Sequence, residues 1–519
     1  MRQKQNNVED IDRVWGADYN MYETNIRIFI ENANLIRWMI EMELEYFLQI
    51  ENKYGLIQEE IDGFAYWTYF RRDLAVDIMR KVDSGGETYV YPVRTKLQQT
   101  MARLGTIKYA LLFGGLRKQK RDMLILNAER RKWVDGCYEC IYTDRIAMEY
   151  PNSIVLERPY FQKHFRPVKT GRLVYTDPIE IKTMVYWYSQ QLLHGRHVAG
   201  IREAIRNKIQ KPIEEICKAY QVEYEINQIL DKMVCGYYVY KVKRKEYSRV
   251  LDKVDPRIIL EVVGYNMDCM IVNELALIRH IPTVELQHGA TGKTHIAYNY
   301  CQGERVRQFP QYFFSFSKFW IDSADYPLTR DRLKEIGFPF LEEKARDIKR
   351  RVGKRTPHQI IFISQPKIGE QLSELAVGLN EMIDTDQYRI VFKLHPGEYE
   401  RWRERYVKLA ASGIEVIDNN YVDLYELFAA SMCQIGGYSS TALYEGLEFN
   451  LKTYILRESA YPELAFLCEK GMANFFDSVE DLYHLIITDS AGTKAEACFW
   501  KENAMENMKR KINDIMNER

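Results

Sequence analysis

No stretch of this 519-residue chain approaches the ~18–20 consecutive apolar residues that crossing a bilayer requires, so a membrane-spanning helix is not expected. Charge of one sign is lacking too. The 73 Lys and Arg balance 73 Asp and Glu, which leaves no polycationic footprint and argues against nucleic acid as a partner. The nine cysteines are scattered and odd in number, unlike the disulfide framework of a secreted domain. Cys137-x-x-Cys140 has neither a second pair nor a histidine couple beside it, which makes it a poor zinc site. Residues 1–10 are polar and mixed in charge, without the apolar core of a signal peptide. There is no internal repeat, no Gly-x-Gly-x-x-Gly fingerprint, no Walker loop and no convincing Asp-x-Asp pair. The expected setting is the cytoplasm, with any membrane contact peripheral.

What is present is a globular composition, 46% hydrophobic and 28% charged, too long for one compact core. Residues 22–53 carry apolar groups at helical spacing (Ile36, Met39, Ile40, Leu44, Phe47), which predicts amphipathic helices. From residue 101 the pattern changes to short apolar runs ending in polar loops: 109–113, 123–126, 153–156 and 173–175 read as strands. A helical insertion is expected over 178–250. The strand pattern resumes at 255–260, and a helix over 266–279 leads to strand 281–286. That is a βαβ unit, the usual building block of a parallel sheet. A further strand is expected at 313–317. The charged run 342–355 reads as a connection. Beyond it, strands at 360–363, 389–394, 414–417, 433–435 and 452–456 alternate with helices at 369–383, 396–411, 422–430, 440–448 and 479–487. The domain plan is therefore a helical region over 1–100, an α/β domain over 101–341, a second over 356–492, and a closing helix over 493–519. Each α/β domain is expected to be a doubly wound parallel sheet, the two facing a cleft.

Three loops at the carboxyl ends of predicted strands draw attention, because open α/β sheets bind ligands there. The first is Gln287-His288-Gly289-Ala-Thr-Gly-Lys293. The second is Lys393-Leu-His395-Pro396-Gly397-Glu398, where Pro396 suits a helix's first position and an imidazole with free N–H groups suits a phosphate. The third is Gly436-Gly437-Tyr438-Ser439-Ser440-Thr441, whose glycines and hydroxyls open a helix that carries Glu445. Gln365, after strand 360–363, is a fourth position of interest. The plainer account of each is structural: a solvated turn for the first, a helix start for the second, and an N-cap serine for the third. That last account leaves Gly436-Gly437 and two hydroxyls unexplained.

Together, Gln287-His288-Gly289, His395-Pro396 and Tyr438-Ser439-Ser440-Thr441 resemble bacterial GT-B glycosyltransferases of capsule and cell-wall polysaccharide biosynthesis. Capsule polysaccharide biosynthesis proteins with a His-Pro motif and CDP-glycerol glycerophosphotransferases are the families most alike. His288-Gly289-Ala290-Thr-Gly-Lys293 is similar to the Trp-His-Gly-Thr-x-x-Lys loop of the latter, with Gln for Trp and Ala for Thr. The likeness covers about residues 255–456. It implies a GT-B-like fold and transfer from a nucleotide-activated sugar, CMP- or CDP-linked, to a polysaccharide or lipid-linked glycan. It also implies that His395, Pro396, Glu398, Ser439, Ser440, Thr441, Glu445 and Gln365 hold the nucleotide. His288 would be the general base, with Gln287, Gly289 and Lys293 on the acceptor side. Neither a metal nor a separate cofactor is expected. Polyol-phosphate transfer of teichoic-acid type, UDP-sugar 2-epimerisation and a non-catalytic assembly role stay open as alternatives. The oligomeric state and the role of residues 1–100 stay open as well.

Overall fold

The computed structural model describes residues 33–83, 116, 118–128, 131–159, 164–351, 358–419, 421–438, 440–457, 462–488 and 499–518. The chain divides into two compact units, the first built chiefly from Met42–Gly337 and Asn503–Arg519 and the second from Phe338–Glu502. The strand expected at 109–113, the position Ser439 and part of the expected closing helix lie outside the described residues.

The first unit contains β1 (Met123–Leu126), β2 (Lys132–Val134), β3 (Cys137–Glu139), β4 (Ser153–Glu157), β5 (Leu173–Tyr175), β6 (Ile258–Val262), β7 (Thr283–Leu286), β8 (Tyr312–Ser315) and β9 (Leu333–Glu335). Seven of these form a parallel sheet in the order β5-β4-β1-β6-β7-β8-β9, while β2 and β3 make a separate antiparallel hairpin. Strands covered on both faces read as continuous apolar runs, and the Met-Leu-Ile-Leu of β1 is buried at every position. Leu124 and Leu126 pack into the helical layer, Met123 and Ile125 into the opposite one, following the two-residue alternation of a strand. That opposite layer includes Met508, Ile512 and Ile515 of the Ala504–Asn517 helix.

The helical insertion is three helices, Asp177–Leu193, Gly195–Ala219 and Ile226–Val254. The longest packs against Tyr66–Asp83 from the amino-terminal region. Close approach there depends on Gly236, since a Cβ at that position would stand 2.5 Å from the Phe70 ring. Apolar residues of the amino-terminal helices, Phe47, Trp67 and Leu74 among them, are spent on this internal packing.

The second unit holds β10 (Gln359–Ile363), β11 (Arg389–Lys393), β12 (Glu415–Ile417), β13 (Cys433–Gly436), β14 (Lys452–Leu456) and β15 (Asn474–Phe476), all parallel in the order β12-β11-β10-β13-β14-β15. Both units are thus doubly wound parallel α/β sheets, as the alternation of sequence patterns predicts. Three details differ from expectation. The charged run after residue 341 belongs to a helix, Pro339–Arg351, because Leu341, Ala345 and Ile348 recur at helical spacing and are buried. The single helix expected over 396–411 is a 3₁₀ turn and two short helices, interrupted where Arg401 adopts φ 62°. The short strands β2, β3, β9 and β15 carried too little apolar pattern to be anticipated. Among the described residues no helix is long and apolar enough to cross a membrane.

Candidate functional site

In each sheet the chain runs outward from its first strand and then restarts on that strand's other side, so strand order reverses between β1 and β6 and between β10 and β13. The carboxyl ends of strands flanking such a reversal diverge and leave a crevice where ligands bind.

In the first unit, β6 and β7 each carry one carboxylate inside a fully buried strand. Glu261 and Glu285 are register partners, and both are 0% exposed. Glu285 Oε1 accepts from the Gly264 N–H at 3.0 Å and the Tyr298 hydroxyl at 2.8 Å, and Glu261 Oε1 accepts from Asn273 Nδ2 at 2.9 Å. Among the described residues the Oε2 atom of each has no hydrogen-bond donor. Burial pushes the Glu285 carboxyl up to about 7, the Gly264 and Tyr298 bonds opposing it. Burial, and then the neighbouring Glu285, raise Glu261 well above the ordinary range. Gly264 lies against both acids: a Cβ there would be 2.4 Å from Glu285 Oε2 and 2.8 Å from Glu261 Oε1.

His288 follows β7, with Nδ1 3.7 Å from Glu285 Oε1 and Nε2 3.2 Å from the Tyr265 hydroxyl. Tyr142 donates to the His288 carbonyl at 2.7 Å, and the rings of Tyr142, Tyr265 and Tyr298 surround the imidazole. Burial, and then the charge of Arg72, hold His288 down at about 4 and nearby His295 at about 3. Within this cluster Glu285, rather than the imidazole expected as general base, is the group held near pH 7.

The rest of the loop is shaped by protein contacts. Gln287, 2% exposed, accepts from the Ser315 hydroxyl and the Phe316 N–H, both at 2.8 Å, and donates to the Gly289 carbonyl at 2.8 Å. Its amide therefore fixes the turn that presents His288. Lys293 forms an exposed pair with Asp325 at 2.6 Å, a contact worth little in water. The following segment is pinned by Arg71, whose guanidinium bonds the Glu51 carboxylate at 2.7 and 2.6 Å and the carbonyls of Ile296 and Asn299 at 2.6 and 3.1 Å.

In the second unit the reversal is bridged by two positions singled out in the sequence. Gln365, after β10, donates to the Ser440 hydroxyl at 3.3 Å, and Ser440 follows β13. Tyr438 takes a left-handed conformation (φ 59°), which turns the chain sharply into the Thr441–Leu447 helix bearing the half-buried Glu445. One strand away, His395 Nδ1 accepts from the Gly397 N–H at 3.0 Å. Nδ1 therefore keeps its lone pair and the ring proton sits on Nε2. Pro396 opens the 3₁₀ turn. Glu398, 4% exposed, accepts from the His395 N–H at 2.8 Å, the Ser364 hydroxyl at 2.9 Å and the Tyr406 hydroxyl at 2.5 Å. Both its oxygens serve the protein, so it positions His395.

Sequence reasoning missed Glu261, Glu285, Tyr265, Tyr298 and Arg72. A usable signal existed for the two acids, because a lone carboxylate inside a fully buried strand (Ile-Ile-Leu-Glu-Val, Thr-Val-Glu-Leu) is anomalous.

No family model matches the chain, and no curated protein matches its sequence. Several solved structures are similar to it in fold. They include the UDP-GlcNAc 2-epimerase from Methanocaldococcus jannaschii (TM-score 0.46, 11% identity, covering 76% of this chain and 99% of that one). The UDP-GlcNAc 2-epimerase from Neisseria meningitidis bound to UDP-GlcNAc gives a TM-score of 0.45 and 11% identity over the same shares of each chain, 76% and 99%. A ugt transferase from Siraitia grosvenorii in complex with UDP gives 0.40 and 10% identity, again over 76% and 99%.

Proposed function

We propose that the chain is a nucleotide-sugar-dependent glycosyltransferase: the second unit grips the nucleotide phosphate of a CMP- or CDP-linked donor, and the first activates the acceptor. The observation that carries this reading is the Gln365–Ser440 bridge across the strand-order reversal of the second sheet, with His395 at the adjacent carboxyl end. His395 Nε2–H, the Ser440 and Thr441 hydroxyls and the glycine turn are donors suited to a phosphate, with Ser439 alongside them in sequence. Glu445 takes ribose hydroxyls. Such donors stabilise the charge that develops on a departing nucleotide. No metal is needed on this reading.

In the first unit, His288 accepts the acceptor's proton. An alcohol is a weak nucleophile near neutrality and gains from a positioned base. Glu285, behind the ring, takes or returns the imidazole's second proton. The acceptor is a growing surface polysaccharide or glycolipid. Incubating the full chain with CMP-, CDP- and UDP-linked sugars and with CDP-glycerol, and following release of the nucleotide, tests the reading. Turnover of a CMP- or CDP-sugar is expected. Turnover of CDP-glycerol alone reassigns the chain to polyol-phosphate transfer, and no binding or turnover of any donor contradicts both.

One observation favours a second reading. The buried pair Glu261 and Glu285 beside His288 supplies an acid and a base without an acceptor, as epimerisation of a nucleotide sugar needs. A product of unchanged mass from a UDP-sugar in the absence of acceptor would select it.

A further inference from the structure

We propose that Arg72 is an oxyanion-binding residue of the first unit, seating a phosphate or carboxylate group of the substrate beside His288. The inference deepens the proposed function and rests on it for the substrate's identity, but the binding itself is testable without it.

Arg71 and Arg72 are neighbours on one helix, and their guanidiniums have opposite fates. Arg71 is saturated by Glu51 and two backbone carbonyls, with its side chain 1% exposed. Arg72 makes no hydrogen bond among the described residues, and its ionic contact with Asp73 is 3.9 Å long, beyond hydrogen-bonding distance. Its guanidinium lies 4.9 Å from the centre of the Tyr265 ring, and Tyr265 is the residue whose hydroxyl meets His288 Nε2. With the side chain 17% exposed, the group is reachable from solvent yet largely desolvated. Leaving these N–H donors without hydrogen-bond acceptors among the described residues is costly, and two oxygens of a carboxylate or a phosphate match the guanidinium fork.

The surroundings have room for one oxygen of such a group. A cavity of about 20 Å³ is lined by Arg71, Arg72, Gly264, Tyr265, Tyr300 and Gln308, space for one water-sized group such as an anion's oxygen. Asp73 reaches Arg72 only at 3.9 Å, and neither Tyr265 nor the two nearby histidines offers it a counter-charge at neutral pH. Burial keeps Tyr265 protonated, and His288 and His295 are neutral. Arg72's charge is one of the two influences that hold the His288 imidazole low, so an anion seated on Arg72 would offset that charge and raise the basicity of His288. Substrate binding would then switch on the base that the site otherwise holds too weak.

The test uses the full chain, inorganic phosphate and acetate as probes, and Arg72→Gln and Arg72→Lys as variants. Affinity is read by calorimetry, and the His288 resonance, assigned through His288→Gln, is followed by NMR of isotopically labelled histidine. Phosphate, acetate or both should bind, and R72Q should weaken that binding by roughly 10- to 100-fold, the worth of a charge-assisted hydrogen bond. R72K, which keeps the charge but not the fork, should fall between. The His288 titration should move upward when anion is added to the wild type, and no further with anion in R72Q. Binding of phosphate alone assigns a phosphoryl group, whereas binding of acetate as well assigns a carboxylate-bearing substrate. Equal affinity in R72Q, binding without a His288 response, or no binding of either probe would overturn the proposal. Near-ultraviolet circular dichroism identifies a variant that has not folded, and R72K then carries the comparison. A chain that turns over no nucleotide sugar but binds phosphate through Arg72 keeps this inference and loses the assigned reaction.

Discussion

His288 in the first unit and His395 in the second both follow the carboxyl end of a parallel strand, yet the protein holds them by different means. His395 is fixed by backbone: a Gly397 N–H on Nδ1 and the Glu398 carboxylate on its own N–H. His288 is fixed by side chains: three tyrosine rings around it, a tyrosine hydroxyl on Nε2, and a buried acid behind Nδ1. The first arrangement presents a donor of set tautomer and suits an anion that has only to be held. The second places an imidazole among groups whose protonation is displaced by burial, and such displacement accompanies proton transfer. On the proposed function, binding belongs to the His395 edge and chemistry to the His288 edge.

The comparison breaks most severely if the platform under His288 is removed. Arg71→Met leaves Glu51 as an unpaired buried carboxylate and frees the carbonyls of Ile296 and Asn299, so urea unfolding should show a loss of about 3–5 kcal/mol. A loss below about 1 kcal/mol would mean that Arg71 does not anchor this segment. His288→Ala should lower kcat by about 10²–10⁴ with the fold retained, the usual worth of a general base. Unchanged turnover would leave the cluster a structural feature.

Glu285→Gln sharpens the contrast through pH. The folded carboxyl at about 7 lies above its ordinary 4.5, so between those values the folded state keeps a proton that the unfolded chain has lost. The stabilisation from that proton is fully present below pH 4.5 and is lost as pH rises through 7. The Gln variant does not titrate there, so its stability relative to wild type should improve across that window, by at most roughly 3 kcal/mol. A difference that is flat with pH would show that Glu285 ionises normally.

The two sites were also unequally legible. The inner strands of both sheets were legible in advance, because a buried parallel strand must be apolar on both faces, whereas the short edge strands β9 and β15 were not. The second unit's site was readable because it is local: His395, Pro396 and Glu398 lie within four residues of one another, and the glycine turn names itself. Ser439 lies outside the described residues, so that part of the turn stays an expectation. The first unit's site was legible only in part. Gln287-His288-Gly289 stood out as a loop, but Tyr142, Arg72, Tyr265 and Tyr298 come from segments up to 226 positions apart in the 519-residue sequence, counting from Arg72 to Tyr298, and meet only through packing. The resemblance implies substrate contacts for Gln287 and Glu398, whereas in the structure their polar atoms bond to the protein itself. Arg72 was hidden for the converse reason, since next to Arg71 it looks like half of a charged helix face.

Nucleotide affinity, measured by calorimetry on the full chain and its two histidine variants with CMP, CDP and UDP, tests the division of labour most directly. His395→Ala should weaken binding of the preferred nucleotide by roughly tenfold, the loss of about one hydrogen bond to a charged group, while His288→Ala leaves the affinity unchanged. Equal weakening by both variants, or loss of affinity in His288→Ala alone, would contradict the assignment of binding to the second unit and chemistry to the first.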